Sequence, residues 1–164
     1  ADAPVLMIEY SDYQCPYCGR YTQQTLPRID EDYIQTGKIR YVFKDFPLSF
    51  HAQASLAAQA ARCAGDQDAY WEMHDLLFAD QEAWANDNAA TVFSAQADQL
   101  GLDVTTFDTC LESGAYADAV QADLEEGMRV GVSGTPAFFV NGQFISGAQP
   151  YEVFQEAIEA ALSR

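Results

Sequence analysis

The apolar positions change period along the chain, and the changes mark its elements. Val5-Leu6-Met7-Ile8-Glu9-Tyr10 is a short, nearly continuous apolar run and predicts a buried strand. From about 15 to 36, Tyr21, Leu26, Ile29, Tyr33 and Ile34 recur at roughly helical spacing. Gly37 ends that segment, as a glycine just past a helix end does. Ile39-Arg40-Tyr41-Val42-Phe43 predicts a second strand, closed by Pro47. Strand, helix and strand in so short a stretch make a βαβ unit, so the two strands are expected to be parallel.

From about 49 to 130 alanine dominates and β-branched residues thin out. Helices are expected over 52–64, 68–79, 89–100, 104–113 and 116–129, with Gly65, Gly101 and Gly114 as stops and Asp103 as a cap. Strand character returns at Ala137-Phe138-Phe139-Val140. Asn141-Gly142 and Gln143-Phe144-Ile145 follow, and together they signal a hairpin. A last amphipathic helix over about 151–162 presents Val153, Phe154, Ile158 and Leu162 to a core. The order is βα, β, a helical block, ββ, α. Strands on both sides of the block are needed for one sheet. The expectation is therefore one α/β domain over 1–164, with 49–130 as a helical insertion.

Cys15-Pro16-Tyr17-Cys18 lies where the first strand gives way to the first helix. Two thiols at that spacing can close a small ring or ligate one metal, and the strand-then-helix setting favours the ring. A sulfur at a helix start meets unpaired N–H groups and the positive end of the helix dipole, which favour thiolate over thiol. Cys15 is thus the attacking sulfur. Cys18, one turn further in, is the more buried resolving partner. Pro16 suits the first turn, where its missing N–H costs nothing. A structural zinc module is the rival reading, but zinc wants a second close pair, and Cys63 and Cys110 stand alone and far apart. His51 and His74, the two histidines, have no third ligand at a metal-like spacing and read as structural. No metal is expected.

Twenty-five acidic residues against eight basic ones leave a formal charge of −17, which argues against nucleic acid and anionic membranes as partners. No apolar stretch approaches the roughly 18 residues of a membrane span. Cys63 and Cys110, 47 residues apart in the helical block, either tie two helices as a structural disulfide or stay as two buried thiols. A disulfide would indicate a non-reducing compartment. The chain opens Ala1-Asp2-Ala3-Pro4 without a methionine, as after removal of a signal peptide or trimming.

Glu9, Cys15-Pro16-Tyr17-Cys18, the helical insertion and Gly134-Thr135-Pro136 together resemble the DsbA family of thioredoxin-fold thiol–disulfide oxidoreductases, from Val5 to Leu162. The resemblance implies a central mixed sheet flanked by helices, with an inserted all-helical subdomain. It implies a cis bond between Thr135 and Pro136 facing the cysteines, where an ordinary trans proline is the alternative. It places Glu9 beneath the cysteines, where a buried carboxylate could shuttle the proton of Cys18; a strand-end glutamate facing water is the alternative. Some relatives carry a second cysteine pair like Cys63 and Cys110.

The implied activity introduces disulfides into secreted or periplasmic proteins, with no cofactor beyond the cysteines. Substrates are unfolded or partly folded proteins with free thiols, held beside Thr135-Pro136 and near Tyr17. A membrane quinone-linked partner would restore the disulfide, and the location is periplasmic or otherwise extracytoplasmic. Tyr17 stands where the best-known members carry histidine, so one cationic donor to the thiolate is missing. Two lost pKa units would move a two-electron potential by about 60 mV. Asp12, close in sequence, could oppose a negative sulfur. Thr135 before the proline is shared with the isomerase branch, so a reductase or isomerase of the same fold stays open. Dimeric isomerases carry a dimerisation segment ahead of the fold, whereas four residues precede Val5 here, and a monomer is expected.

Overall fold

A computed structural model describes residues 3–164. Strand β1 (Val5–Ser11) runs through the middle of the sheet. Its Val5, Met7, Glu9 and Ser11 are buried, whereas Leu6 is exposed and Ile8 half-buried, the alternation of a strand with one fully covered face. β2 (Ile39–Asp45) pairs with it in parallel, Glu9 opposite Phe43. β3 (Ala137–Val140) pairs on its other side, antiparallel, Glu9 opposite Phe138. β4 (Gln143–Ser146) completes a mixed four-stranded sheet in the order β2-β1-β3-β4. The hairpin turn has positive φ at both Asn141 (45°) and Gly142 (86°), which the Asn-Gly pair tolerates. Asn141 also closes the ladder: its Oδ1 accepts from Leu6 N at 2.8 Å and its own N donates to Leu6 O at 2.9 Å.

The single helix expected over 15–36 is divided. α1 (Pro16–Gln24) ends at Thr25, α2 (Leu26–Ile29) follows, and Asp30–Ile34 forms one π-helical turn. Pro27 is the reason: it lacks the N–H that would continue the ladder, and its ring opposes the carbonyl one turn back. These segments and the last helix, here numbered α9 (Tyr151–Leu162), cover one sheet face. Tyr21, Ile29 and Tyr33 meet Phe154 and Ile158 over Val5, Met7 and Phe138.

Between β2 and β3 lie α3 (Ala54–Gly65), α4 (Tyr70–Ala79), α5 (Gln81–Trp84), α6 (Ala89–Gln99), α7 (Val104–Ser113) and α8 (Ala117–Arg129). The short α5 was not expected; Asp80 caps it by accepting from Ala83 N at 3.2 Å. The core of the block runs on into the sheet side, taking in Tyr13, Cys15, Cys18 and Phe43. Small residues of α3 (Ala57, Ala60, Ala61, Ala64) let Met73, Leu77, Phe78, Trp84, Phe93 and Phe107 close around it. Of the two readings of Cys63 and Cys110, the bonded one holds, and the disulfide joins α3 to α7.

Polar ties fasten the block to the sheet. Arg62 of α3 donates to Asp45 of β2 and to Asp123 of α8, both at 2.7 Å, and Lys44 reaches Asp123 at 3.1 Å and Glu126 at 3.2 Å. α8 lies close against the second sheet face, where a Cβ on Gly127 would stand 2.7 Å from the Phe46 ring and 2.9 Å from that of Tyr10. Among the described residues no helix is long and apolar enough to cross a membrane.

Replacing Cys63 and Cys110 by alanine is expected to cost about 2–4 kcal/mol of stability, because the unfolded chain regains the freedom of a long loop. Chemical denaturation of the variant under oxidising conditions measures the difference.

Candidate active site

Cys15 is the N-cap of α1. Its backbone is extended, Pro16 occupies the first helical position, and Cys15 O accepts from Gly19 N at 3.1 Å. The sulfur therefore stands at the open end of the helix, as the chain pattern predicts. Cys15 and Cys18 are both free thiols. Cys18 is the more buried, with none of its surface exposed. Cys15 itself keeps only 4%. Two features close over it. Its sulfur lies 3.7 Å from Thr135 O, and Gln81 Nε2 donates to Cys15 O at 2.9 Å and Tyr13 O at 2.7 Å. Gly19 makes the second contact possible, since a Cβ there would fall 2.6 Å from Gln81 Oε1.

The two sulfurs titrate in opposite directions. Cys15 is lowered from 9.0 to about 6, chiefly because Cys18 donates its S–H to the thiolate. Burial opposes this. The Thr135 hydroxyl and the N–H groups of Cys18 and Tyr17 add to it. The Thr135 hydroxyl is buried and has no hydrogen-bond partner. Cys18 is pushed well up, first by burial and then by the charge beside it. The pair can thus present one reactive anion and hold back one proton.

Glu9 is fully buried, so of its two readings the one facing water is excluded. Burial raises its carboxyl above the ordinary range, against a bond donated by Tyr41 and the nearby His74 and Ser11. Asp12 does not stand bare against the sulfur. Its carboxylate accepts from Gln14 N at 2.7 Å and Leu48 N at 2.8 Å, and pairs with His51 Nδ1 at 2.8 Å. Its own N–H points at Cys18 Sγ at 3.5 Å. His51 is structural in this sense: it fastens the segment after β2 to the loop before Cys15. His74 is buried among Tyr13, Phe43, Trp71 and Phe78. Thr135–Pro136 is cis, and Tyr17 is 58% exposed beside the sulfur, with the Arg20 guanidinium 5.2 Å above its ring. Gln81, Ser11 and Tyr41 were not singled out in the sequence. Only Gly19, a glycine inside a helix, hints at a neighbour that needs its space.

A thioredoxin family model matches residues 1–160. The chain belongs to the thioredoxin family. Its solved neighbours are DsbA-like. The oxidised form of BdbD from Bacillus subtilis superimposes with a TM-score of 0.88 at 27% identity, covering 99% of this chain and 90% of that one. Wolbachia pipientis alpha-DsbA1 gives 0.87 at 26% identity, covering 99% and 87%. Among curated proteins, disulfide bond formation protein D of Bacillus subtilis is 27% identical over 98% of this chain and 74% of that protein. Na(+)/H(+) antiporter NhaA 1 of Salinispora arenicola is 38% identical over 99% of this chain, yet this chain spans only 24% of it. A second antiporter, NhaA 3 of Salinispora tropica, is likewise spanned over 23% of its length.

A folded-state pKa below the unfolded one means that the Cys15 thiolate adds stability to the reduced fold at alkaline pH. That stability fades as pH falls from 9.0 through about 6. The stability difference between the reduced protein and Cys15→Ser is expected to narrow over the same range. Alkylation of Cys15 by iodoacetamide should fall with a midpoint near 6; a midpoint at an ordinary thiol value would contradict the assigned donors.

Proposed function

We propose that this chain is a thiol–disulfide oxidoreductase that introduces disulfides into extracytoplasmic proteins through Cys15 and Cys18. The observation that carries the reading is the split between the two sulfurs: an anion is favoured at the helix end and a proton is kept on the sulfur beneath it. In the oxidised form a substrate thiolate attacks Cys15 Sγ. The Cys15–Cys18 bond breaks, Cys18 leaves with the electron pair and takes a proton, and a mixed disulfide remains on Cys15. A second substrate thiolate attacks the substrate sulfur of that bond. Cys15 departs as the favoured thiolate, and the substrate holds a new disulfide. Glu9 stores the proton that Cys18 takes up. Thr135 and Pro136, beside the reactive sulfur, hold an extended substrate backbone, and exposed Tyr17 supplies an apolar contact. Proteins with free thiols are the substrates, and a membrane quinone-linked protein is the reoxidising partner.

The Cys63–Cys110 bond supports an extracytoplasmic setting, because such bonds rarely persist in reducing cytosol. It also withdraws both sulfurs from any metal site shared with Cys15 and Cys18, which disfavours the zinc module.

Cys15→Ser is expected to abolish exchange with a thiol peptide. Cys18→Ser should accumulate mixed disulfides that intact-protein mass spectrometry detects; absence of adducts would reverse the roles of the two sulfurs. Equilibration in glutathione buffers tests the direction, and a potential as reducing as that of thioredoxin would make the protein a reductase.

A further inference from the structure

Glu9 is fully buried, yet a proton store must be refilled after each turnover. The buried polar atoms around it suggest by which route. Ser11, two residues along β1 and on the same sheet face, is fully buried. Its hydroxyl has no hydrogen-bond partner of its own, and it favours the anionic forms of both Glu9 and Cys18. Glu9 Oε2 accepts from the Tyr41 hydroxyl of β2, and that hydroxyl lies 3.2 Å from the Tyr21 hydroxyl of α1. Glu9 Oε1 has no partner, and neither does Nε2 of buried His74 on α4. Among the described residues, these four, with Cys18 and Tyr13, are the polar groups that act on the carboxyl.

Tyr41 is also the exit. β2 is an edge strand, and a cleft of about 720 Å³ opens along it between α1, α2 and α4. Its walls include Leu26, Ile34, Ile39, Trp71 and His74, and Tyr41 is part of the lining. Asp75 and Arg40 stand at the same cleft, and Asp75 Oδ1 holds His74 Nδ1 at 2.8 Å. The cleft thus reaches the Glu9 network at His74 and at Tyr41, whose hydroxyl is the group bonded to the carboxyl.

We propose that Tyr41 is a positioning and relay residue that connects Glu9 to water in the β2-edge cleft. The inference rests on the reading of Glu9 as the proton store of the exchange. When Cys18 leaves the opening disulfide, the Glu9 acid gives it a proton. In the same step the Tyr41 hydroxyl passes its proton to the Glu9 carboxylate and takes one from water in the cleft, so that losing the hydroxyl slows the opening itself. No net charge stays inside, and the chain needs no other donor.

The test is single-turnover reduction of the oxidised protein by a cysteine peptide, followed by acid quench and mass spectrometry. Tyr41→Phe keeps the ring and is expected to slow opening of the Cys15–Cys18 bond about tenfold. The equilibrium constant with glutathione should move far less. Added imidazole should restore the rate in Tyr41→Phe and leave the wild type unchanged. In a Glu9→Gln background Tyr41→Phe should have no further effect, since the two act in series. An unchanged rate in Tyr41→Phe overturns the relay. So does a slowed rate that imidazole does not restore and that adds to the Glu9→Gln loss, because a packing defect behaves that way. If the wild type does not exchange with the peptide at all, the oxidoreductase reading itself fails, an outcome distinct from either.

Discussion

A negative sulfur sits where burial opposes charge, and donated hydrogens outweigh that opposition. Cys18 S–H, the Thr135 hydroxyl and two N–H groups of the first helical turn all favour the Cys15 anion. Each donor comes from a different structural decision. The N–H groups exist because α1 begins at Pro16, with no residue before it in the helix to use them. The S–H is available because Cys18 is buried next to an anion and keeps its proton. Thr135, whose carbonyl lies 3.7 Å from Cys15 Sγ, arrives from 120 residues away, carried by the loop that enters β3. Removing any one would weaken the charge separation between the two sulfurs.

That arrangement needs a rigid frame, and the frame is polar as well as apolar. Asp12 gathers Gln14, Leu48 and His51 onto one carboxylate just before Cys15. Gln81 of α5 reaches across to the carbonyls of Tyr13 and Cys15. The inserted helices therefore hold the active loop directly. They are themselves held by the disulfide and by the Asp45–Arg62–Asp123 cluster at the sheet. Such partly buried pairs do not add much net stability, but each would be expensive to leave half-made, so they fix one docking geometry for the block.

Much of the fold was legible along the chain. The hairpin at Asn141-Gly142, the helices 104–113 and 151–162, and both β1 and β2 lie where the apolar period and the turn residues put them. These are local signals: a turn that needs positive φ selects Asn-Gly, and a helix end selects glycine. The division of the first helix was missed because Pro27 was outweighed by the apolar spacing around it. Cys15 and Cys18 were legible because their chemistry needs only three residues of spacing and a helix start. The near-complete covering of Cys15 was not, because Gln81 and Thr135 come from distant segments.

The order of strands and helices, the Cys15–Cys18 pair and its place at a helix end were determined by the chain alone, since periodicity and capping act between neighbours. What covers the sulfur, which carboxylates are buried and which are neutralised, and where a cleft reaches the Glu9 network were decided only by tertiary structure. Burial and partnership depend on which residues fold together across long separations. Glu9 reads the same in sequence whether it faces water or Tyr41; only the closing of β2, α1 and α4 around it makes it a buried acid.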